Sequence, residues 1–485
     1  MLLSALAACK GGKGQETPTS NTGADEQTEP VTEAPAVKKE LVFEDFGNRE
    51  FTMLARAGRT HYLFGTDSSA SRVEQAAYTR NEYVNENFNI EIVLIPSPTD
   101  TESSGSKAMK WWKNAVTLST GEYDLIVPDY YWMIEQTGCV ENLLELPKGE
   151  IDPNDEWWYS GWNDATTING KLFSIVGDAS LEALENIEIT FFNKQMAANN
   201  NMDLYTDVED GDWTLNLMRE YSKTVGLNLD EPNDPEAVYG SLYDRHSVLA
   251  QCRSAGLRLI NINENGLPEA NYNNSTSFDI AGAVANMFKE KSVQYESVTA
   301  RGSSKNIKAF KQGRALFYNT ALFLGQTLKN SNLSFDYGVI PMPKYNEEQA
   351  DYISTIYGVS FFAIPTSVQD VHCSATILNA LNWLSNPNGN LGKNSLVYQY
   401  FETVLKNQVA DDAKDADMIQ MARDRLYIDF AFIYNTNLKI DEAYLSAIGT
   451  VGIDPNKSFD IVSALKTVDE GFGDNLRELI STIYA

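Results

Sequence analysis

Basic residues are scarce in this chain. Its 485 residues hold 38 Lys+Arg against 67 Asp+Glu, a formal net charge of −29. Such a surface repels phosphate backbones and anionic lipid, which excludes nucleic-acid binding and polybasic membrane docking. Cysteine is rarer still: Cys9, Cys139, Cys252 and Cys373 stand far apart and form no CxxC or zinc-ribbon pattern. The three histidines, His61, His246 and His372, are not at metal-ligand spacing from one another. There is no GxGxxG after a strand, no GxxxxGK[ST], no HExxH and no GxSxG. No metal, no cofactor and no catalytic residue is therefore expected, and the chain reads as a non-enzyme. A carboxylate pair of the glycoside-hydrolase kind is a spatial arrangement that composition neither shows nor excludes. Beyond the N-terminal segment, no uninterrupted apolar run is long enough to span a bilayer. Aromatics at 11% and apolar residues at 43% do exclude a disordered acidic protein. The length suits two or three domain-sized units.

The N-terminus is distinctive. Met1-Leu-Leu-Ser-Ala-Leu-Ala-Ala ends at Cys9, and Leu6-Ala7-Ala8-Cys9 resembles a bacterial lipobox. An apolar segment engages the export machinery, and small residues give a peptidase access to the bond before Cys9. Acylation of that thiol, palmitate included, would leave a stable anchor, because two or more acyl chains hold where one does not. The segment departs from a usual signal peptide in having no Lys or Arg before Cys9 and in being shorter than about 15–30 residues. Residues 10–40 contain no Leu, Ile, Phe, Trp, Tyr or Met. They cannot bury enough apolar surface to offset ordering entropy, so a flexible tether is expected. That gives a signal remnant over 1–8 and a tether over 9–40. Three cysteines remain after lipidation and are expected as free, mostly buried thiols.

From Leu41 on, strands and helices alternate. Strands are expected at 50–56, 90–95, 124–127, 172–176, 187–192 and 315–318, with helices over 71–88 and 108–119. Another helix should start near Trp213-Thr214, capped by Gly211 or Asp212. Continuous apolar runs such as Asp124-Leu-Ile-Val127 suit a buried parallel sheet, so the fold class is α/β. Asn265-Gly266 predicts a hairpin. The same stretch is a poor calcium loop, with Asn261 first and Tyr272 where a bidentate Glu belongs. The C-terminal part is mainly helical: 375–384, 418–432, 441–448 and 472–483.

Seven of the eight Trp precede residue 220. Aromatic faces pack on the C–H face of a sugar ring while carboxylates and amides take its hydroxyls. Several motifs then recur in order: Gly121-Glu-Tyr-Asp124-Leu-Ile-Val-Pro128, Gly138-Cys-Val-Glu-Asn-Leu143, Ile168-Asn-Gly170-Lys171-Leu-Phe173 and Ile189-Thr-Phe-Phe-Asn193-Lys194. Gly211-Asp-Trp213-Thr214, Phe310-Lys-Gln-Gly313-Arg-Ala-Leu-Phe317 and Phe335-Asp-Tyr-Gly338-Val-Ile-Pro341-Met-Pro343 follow. From about residue 50 to the C-terminus the sequence resembles the extracellular solute-binding proteins of ABC importers, in the family of maltose-binding-type sugar binders.

The resemblance implies a two-lobed periplasmic-binding-protein-like fold of type II, with interleaved lobes joined by a hinge. Lobe one is expected over 41–180 and 319–358, and lobe two over 181–318 and 359–485. Crossings are expected near Asp178–Glu182, Asn319 and Gly358. It also implies a lipid-anchored, monomeric receptor on the outer face of the membrane that hands a sugar or oligosaccharide to ABC permease subunits, and Trp157-Trp158 with Pro341-Met-Pro-Lys344 resembles a branch common in anaerobic Gram-positive bacteria. A surface glycoside hydrolase or lyase, or a ligand-presenting sensor or adhesin, are the alternatives. Ligands in such sheets bind near strand carboxyl ends. The site candidates are therefore Arg56, Arg59, Asp129, Tyr130, Tyr131, Trp132, Asp178, Asn319 and Tyr357. Asp129 and Asp178 would accept from paired hydroxyls, while Tyr130, Tyr131, Trp132 or Tyr357 would stack on the ring. Arg56 and Arg59 would donate to hydroxyls or meet an acidic sugar's carboxylate. In lobe two, Tyr243, Arg245 and Trp383 are weaker candidates, Trp383 reading more naturally as helix core.

Overall fold

Short apolar strands form a three-stranded and a five-stranded sheet, with a separate two-stranded hairpin. The computed structural model describes residues 41–99, 106–132, 134–230, 234–297, 301–409 and 413–484. The signal remnant, Cys9 and the tether lie outside the described residues. Residues from Phe43 on form one unit, and the account below concerns that unit.

In the first sheet, β1 (Arg49–Ala55) is flanked on both sides by parallel partners, β2 (Ile90–Pro96) and β3 (Leu125–Val127). Phe51, Met53, Leu54 and Ala55 are buried, as are all three residues of β3. The helix Arg72–Phe88 connects β1 to β2. Ser71 caps it by accepting from the Glu74 amide, and Asn89 ends it in the left-handed region at φ 51°. The expected strand at 172–176 is not formed; Ile175 makes only an isolated bridge to Phe362.

The second sheet has the order β10–β4–β9–β5–β8, from β4 (Glu188–Asn193), β5 (Tyr239–Asp244), β8 (Val293–Glu296), β9 (Ala315–Ala321) and β10 (Tyr337–Pro341). β5 runs parallel to β8 and β9, while β4 is antiparallel to both β9 and β10. Every residue of β4, β9 and β10 is buried, so these strands read as continuous apolar runs with the occasional polar residue. Gly313, at φ 69°, makes the tight entry into β9. The predicted hairpin is present as β6 (Ile260–Ile262) and β7 (Pro268–Ala270), with Gly266 at φ 70°. The helix Leu215–Val225 is capped by Thr214, whose side chain accepts from the Leu217 amide, rather than by Gly211 or Asp212. The expected helix over 418–432 divides into Ala413–Asp424 and Phe430–Ile433. Asp429 interrupts it, turning its carboxylate onto the amides of Ala431 and Leu259.

Strand pairing sorts the segments after 318 differently from the expected partition. Residues 319–358 were expected with the first lobe, yet β10 hydrogen-bonds to β4 of the second sheet. Residues 359–365, expected with the second lobe, bridge to the first: Ser360 to Asp129, Phe362 to Ile175 and Ala363 to Ile126. Asn319 lies inside β9 and is no crossing. The reason is that a fully apolar run such as Phe361-Phe-Ala-Ile364 satisfies either sheet in composition, and only the facing strand decides. Two crossing segments run side by side. The Tyr357 amide donates to the Asn186 carbonyl (2.9 Å), and Asn186 Nδ2 donates to the Gly358 carbonyl (2.7 Å).

The C-terminal helices serve both sides. Val371–Ser385 packs on Arg72–Phe88, Ala413–Asp424 on β10, and Ile440–Ile453 on Arg245–Ser254. Cys139, Cys252 and Cys373 are unbridged, the last two buried. No helix among the described residues is long and apolar enough to cross a membrane.

Candidate ligand-binding cleft

The carboxyl ends of β1 and β3 deliver Arg56 and Asp129. Arg56 Nη1 meets Asp129 Oδ2 at 2.5 Å and Glu182 Oε1 at 3.5 Å. Arg59, in the turn after β1, reaches Glu182 Oε1 through Nε at 3.0 Å and Glu185 at 3.8 Å. Glu182 stands on the first crossing segment. Its second oxygen accepts from the Ser360 amide (2.8 Å) and the Tyr62 hydroxyl (3.3 Å). Burial raises the Asp129 carboxyl to about 6 against the opposing pull of Arg56.

From the second sheet, Asp244 ends β5 and caps the helix Arg245–Ser254 through the amides of His246 and Ser247. Its carboxylate also meets Arg301 Nε at 2.8 Å, and Arg301 Nη2 meets Glu188 Oε1 at 2.5 Å. Arg301, Glu188 and Asp244 are all 1–2% exposed, which makes this a buried triad. Burial lifts the Glu188 carboxyl to about 7 in spite of Arg301. The Arg301 guanidinium lies over the Tyr357 ring (4.6 Å), and the His246 imidazole meets the same ring edge-on (4.8 Å). Burial, with Arg301 nearby, lowers His246 to about 4, so its ring is neutral.

Beside Glu188, His246 and Tyr357 lies a cavity of ≈ 140 Å³. Tyr130 and Tyr131 come to it from the first lobe, Glu188, His246 and Arg253 from the second, and Tyr357 from the crossing. Phe432 closes it by stacking on Tyr130, centroids 4.8 Å apart and planes at 22°. Arg253 sits over Phe432 and pairs with Asp441 at 2.5 Å. Arg245 lines the same cavity and pairs with Glu442. The arrangement offers aromatic faces plus hydrogen-bond donors and acceptors from both lobes, which suits a small polyhydroxylated molecule.

Of the residues singled out in the sequence, Tyr130, Tyr131, Tyr357 and Arg245 line this cavity, while Arg56, Arg59 and Asp129 form the ion-paired group with Glu182 and do not line it. Three lie elsewhere. Trp132 is fully buried and stacks on Trp112 at 4.9 Å, so its indole has no face open to a ring. Asn319 is fully buried in β9, accepting from the Thr190 hydroxyl (2.7 Å) and donating to the Leu242 carbonyl. Asp178 is buried against Asn386 (2.7 Å) and Arg423 (2.8 Å), on a different cavity of ≈ 340 Å³. Tyr243 and Trp383 are core residues, bonded to Gln251 and Asn390. Glu182, Glu188, His246, Arg253, Arg301, Phe432 and Asp441 were not singled out. The one available signal was a lone acid within an apolar run, as in Ile187-Glu188-Ile189. Among the described residues, no group of three or more His, Cys, Asp or Glu is gathered as for a metal ion.

Solved structures with the same architecture cover nearly the whole chain. The sugar-binding protein MalE from Xanthomonas citri aligns with a TM-score of 0.60 at 14% identity, over 89% of this chain and 98% of that one. The cyclic alpha-maltosyl-1,6-maltose binding protein from Arthrobacter globiformis aligns at 0.58 and 14%, over 89% and 100%. A cyclo/maltodextrin-binding protein complexed with maltotetraose aligns at 0.58 and 13%, over 90% and 98%. The fold is that of the two-lobed solute-binding proteins. Sequence comparison does not reach as far: no protein-family model and no curated protein matches. The Tyr130–Phe432 cavity is lined by residues from the ends of both sheets, from the crossing segment and from the C-terminal helices.

Proposed function

We propose that this protein is the carbohydrate-capturing component of an ABC importer, anchored outside the membrane through Cys9. The observation that carries the reading is the cavity lined from the ends of both sheets, with Tyr130 and Tyr131 on one wall and Glu188, His246 and Arg253 on the other. Contacts to both walls give a ligand higher affinity for the closed arrangement than for an open one, and that difference drives closure. The solved structures of this fold include a maltodextrin binder with maltotetraose bound, which supports a sugar ligand. The proposed binding set narrows to Arg56, Arg59, Asp129, Tyr130, Tyr131, Tyr357 and Arg245, joined by Glu182, His246, Arg253 and Phe432. The cavity is below the about 300–1,000 Å³ usual for ligand pockets, so the lobes must part before anything larger than a single ring enters. Arg56 and Arg59 are committed to Asp129, Glu182 and Glu185, so an acidic sugar gains little from them. Permease docking, a monomeric state and binding without turnover complete the proposal.

A thermal-shift screen of monosaccharides, oligosaccharides, amino acids and peptides tests it. A cognate sugar raises Tm by mass action, and Tyr130→Ala abolishes that rise while the unliganded protein still melts cooperatively. Shifts with amino acids or peptides and none with any carbohydrate would overturn the sugar assignment. Release of reducing ends from an oligosaccharide by the pure protein would overturn the assignment as a receptor.

A further inference from the structure

The polar groups left over in the cleft define its ligand more narrowly than "sugar". Glu188 and Asp441 both line the cavity, with side chains 1% and 6% exposed. Each spends one oxygen on an arginine: Glu188 Oε1 on Arg301 and Asp441 Oδ2 on Arg253, both at 2.5 Å. Their other oxygens, Glu188 Oε2 and Asp441 Oδ1, are buried without a hydrogen-bond partner among the described residues. A buried acceptor left in that condition costs about 1–3 kcal/mol, and more when it is charged. On residues that line the cavity, Arg253 Nε is a donor left unpartnered, and His246 Nε2 is an unpartnered ring nitrogen.

The charge around the cavity decides between ligands that could meet these groups. Arg245 and Arg253 line the cavity with Glu188, Asp441 and Glu442, and the ion pairs in and around it join five arginines to seven carboxylates. That formal excess of two negative charges is reduced where Glu188, held at about 7, takes up a proton. An anionic ligand would deepen that excess. A neutral sugar would satisfy hydrogen bonds and leave it unchanged. An ammonium group would donate to the open carboxylate oxygens and cancel one charge in a site shielded from water, where a charge-assisted bond is about twice as strong as a neutral one. A hydroxyl oxygen on the same molecule would then serve Arg253 Nε.

We propose that the cleft takes an amino sugar, a single ring bearing a free, positively charged amine beside its hydroxyls, with Glu188 and Asp441 as the amine's acceptors. This rests on the reading of the cleft as a carbohydrate site.

Calorimetry on the full chain at pH 7 with three matched sets tests it: glucosamine, galactosamine and mannosamine; their N-acetyl forms; and glucose, galactose and mannose. One free hexosamine should bind at least tenfold more tightly than its N-acetyl form and its parent hexose. Glu188→Gln and Asp441→Asn should each reduce that preference to threefold or less, with a Tm measured beside each to show that it folds. The acetylated series on the unsubstituted protein carries the test by itself if either variant does not fold. A parent or N-acetyl sugar that binds as tightly as every hexosamine overturns the amine assignment and leaves the carbohydrate receptor standing. Binding of no sugar in any of the three sets, with an amino acid or peptide bound instead, overturns both.

Discussion

Arg301→Met isolates the electrostatics of the cleft in one substitution. Methionine keeps most of the volume beside Tyr357 and removes the positive charge that Glu188 and Asp244 share. Removing one partner of a buried pair costs about 3–5 kcal/mol, because the other charge stays behind unpaired. Here two carboxylates stay behind, both about 1% exposed. The loss should depend on pH in a definite direction. Burial already holds Glu188 at about 7 with the arginine present, well above an ordinary carboxyl, and its removal pushes that value higher. A group whose folded pKa is raised costs stability as pH rises from its unfolded value through its folded one. At pH 5.5 Glu188 is largely protonated with or without Arg301, so the variant should lose only about half of the full cost. At pH 8.5 Glu188 is ionised in the parent protein, and the variant should show the full loss of about 3–5 kcal/mol. Urea unfolding at the two pH values, followed by tryptophan fluorescence, measures the difference, and Glu188→Gln added to Arg301→Met should recover part of it. A loss below about 1 kcal/mol at pH 8.5, or an equal loss at both pH values, would refute the argument that this triad is a buried, mutually compensated group.

Three further outcomes follow from the same geometry. Trp132→Ala should cost about 3–5 kcal/mol of stability in a urea titration, because its indole is buried against Trp112 and leaves a cavity; a cost under 1 kcal/mol would mean an exposed, ligand-facing ring. His246 is held near 4 in the fold against an ordinary 6.5, so it subtracts stability as pH falls from about 6.5 to 4, by at most about 3 kcal/mol; His246→Gln should flatten the stability profile over that window and leave it unchanged above pH 7.5. Gly177→Ala would place a methyl 2.3 Å from Asn382 Oδ1, 2.5 Å from the Trp158 ring and 2.8 Å from the Trp157 carbonyl, so Tm should fall by several degrees, and an unchanged Tm would show that Trp157-Trp158 can move aside.

Some of this molecule was legible residue by residue. Alternation of apolar runs and helical periods located β1, β2, β3, β4 and β9 to within a few residues, because short apolar runs bounded by turn residues favour strands whichever sheet they join. Asn265-Gly266 specified its hairpin through local backbone preference alone. The strand at 172–176 was misread because its residues are as apolar as a strand's, yet Ile175 finds only one bridge, to Phe362. At the cleft, residues just after strand ends were found, since a strand's carboxyl end is a sequence position. Arg253, Arg301 and Asp441 were missed because nothing local distinguishes a charge that will be buried opposite a partner 188 residues away.

The sequence by itself determined the α/β texture, the acidic surface, the absence of recognisable catalytic motifs and the identity of the residues that leave β1 and β3. These depend on side-chain chemistry and on contacts between near neighbours in the chain. Tertiary structure decided which sheet each later strand joins, and therefore that β10 belongs with β4 while Ser360–Ala363 returns to the first sheet. It also decided that Tyr130 would meet Phe432 while Trp132, two residues on, would be sealed against Trp112. A turn of the short helix Tyr130–Trp132 sends neighbouring side chains in different directions, and only the elements packed on either side determine which one faces the cleft.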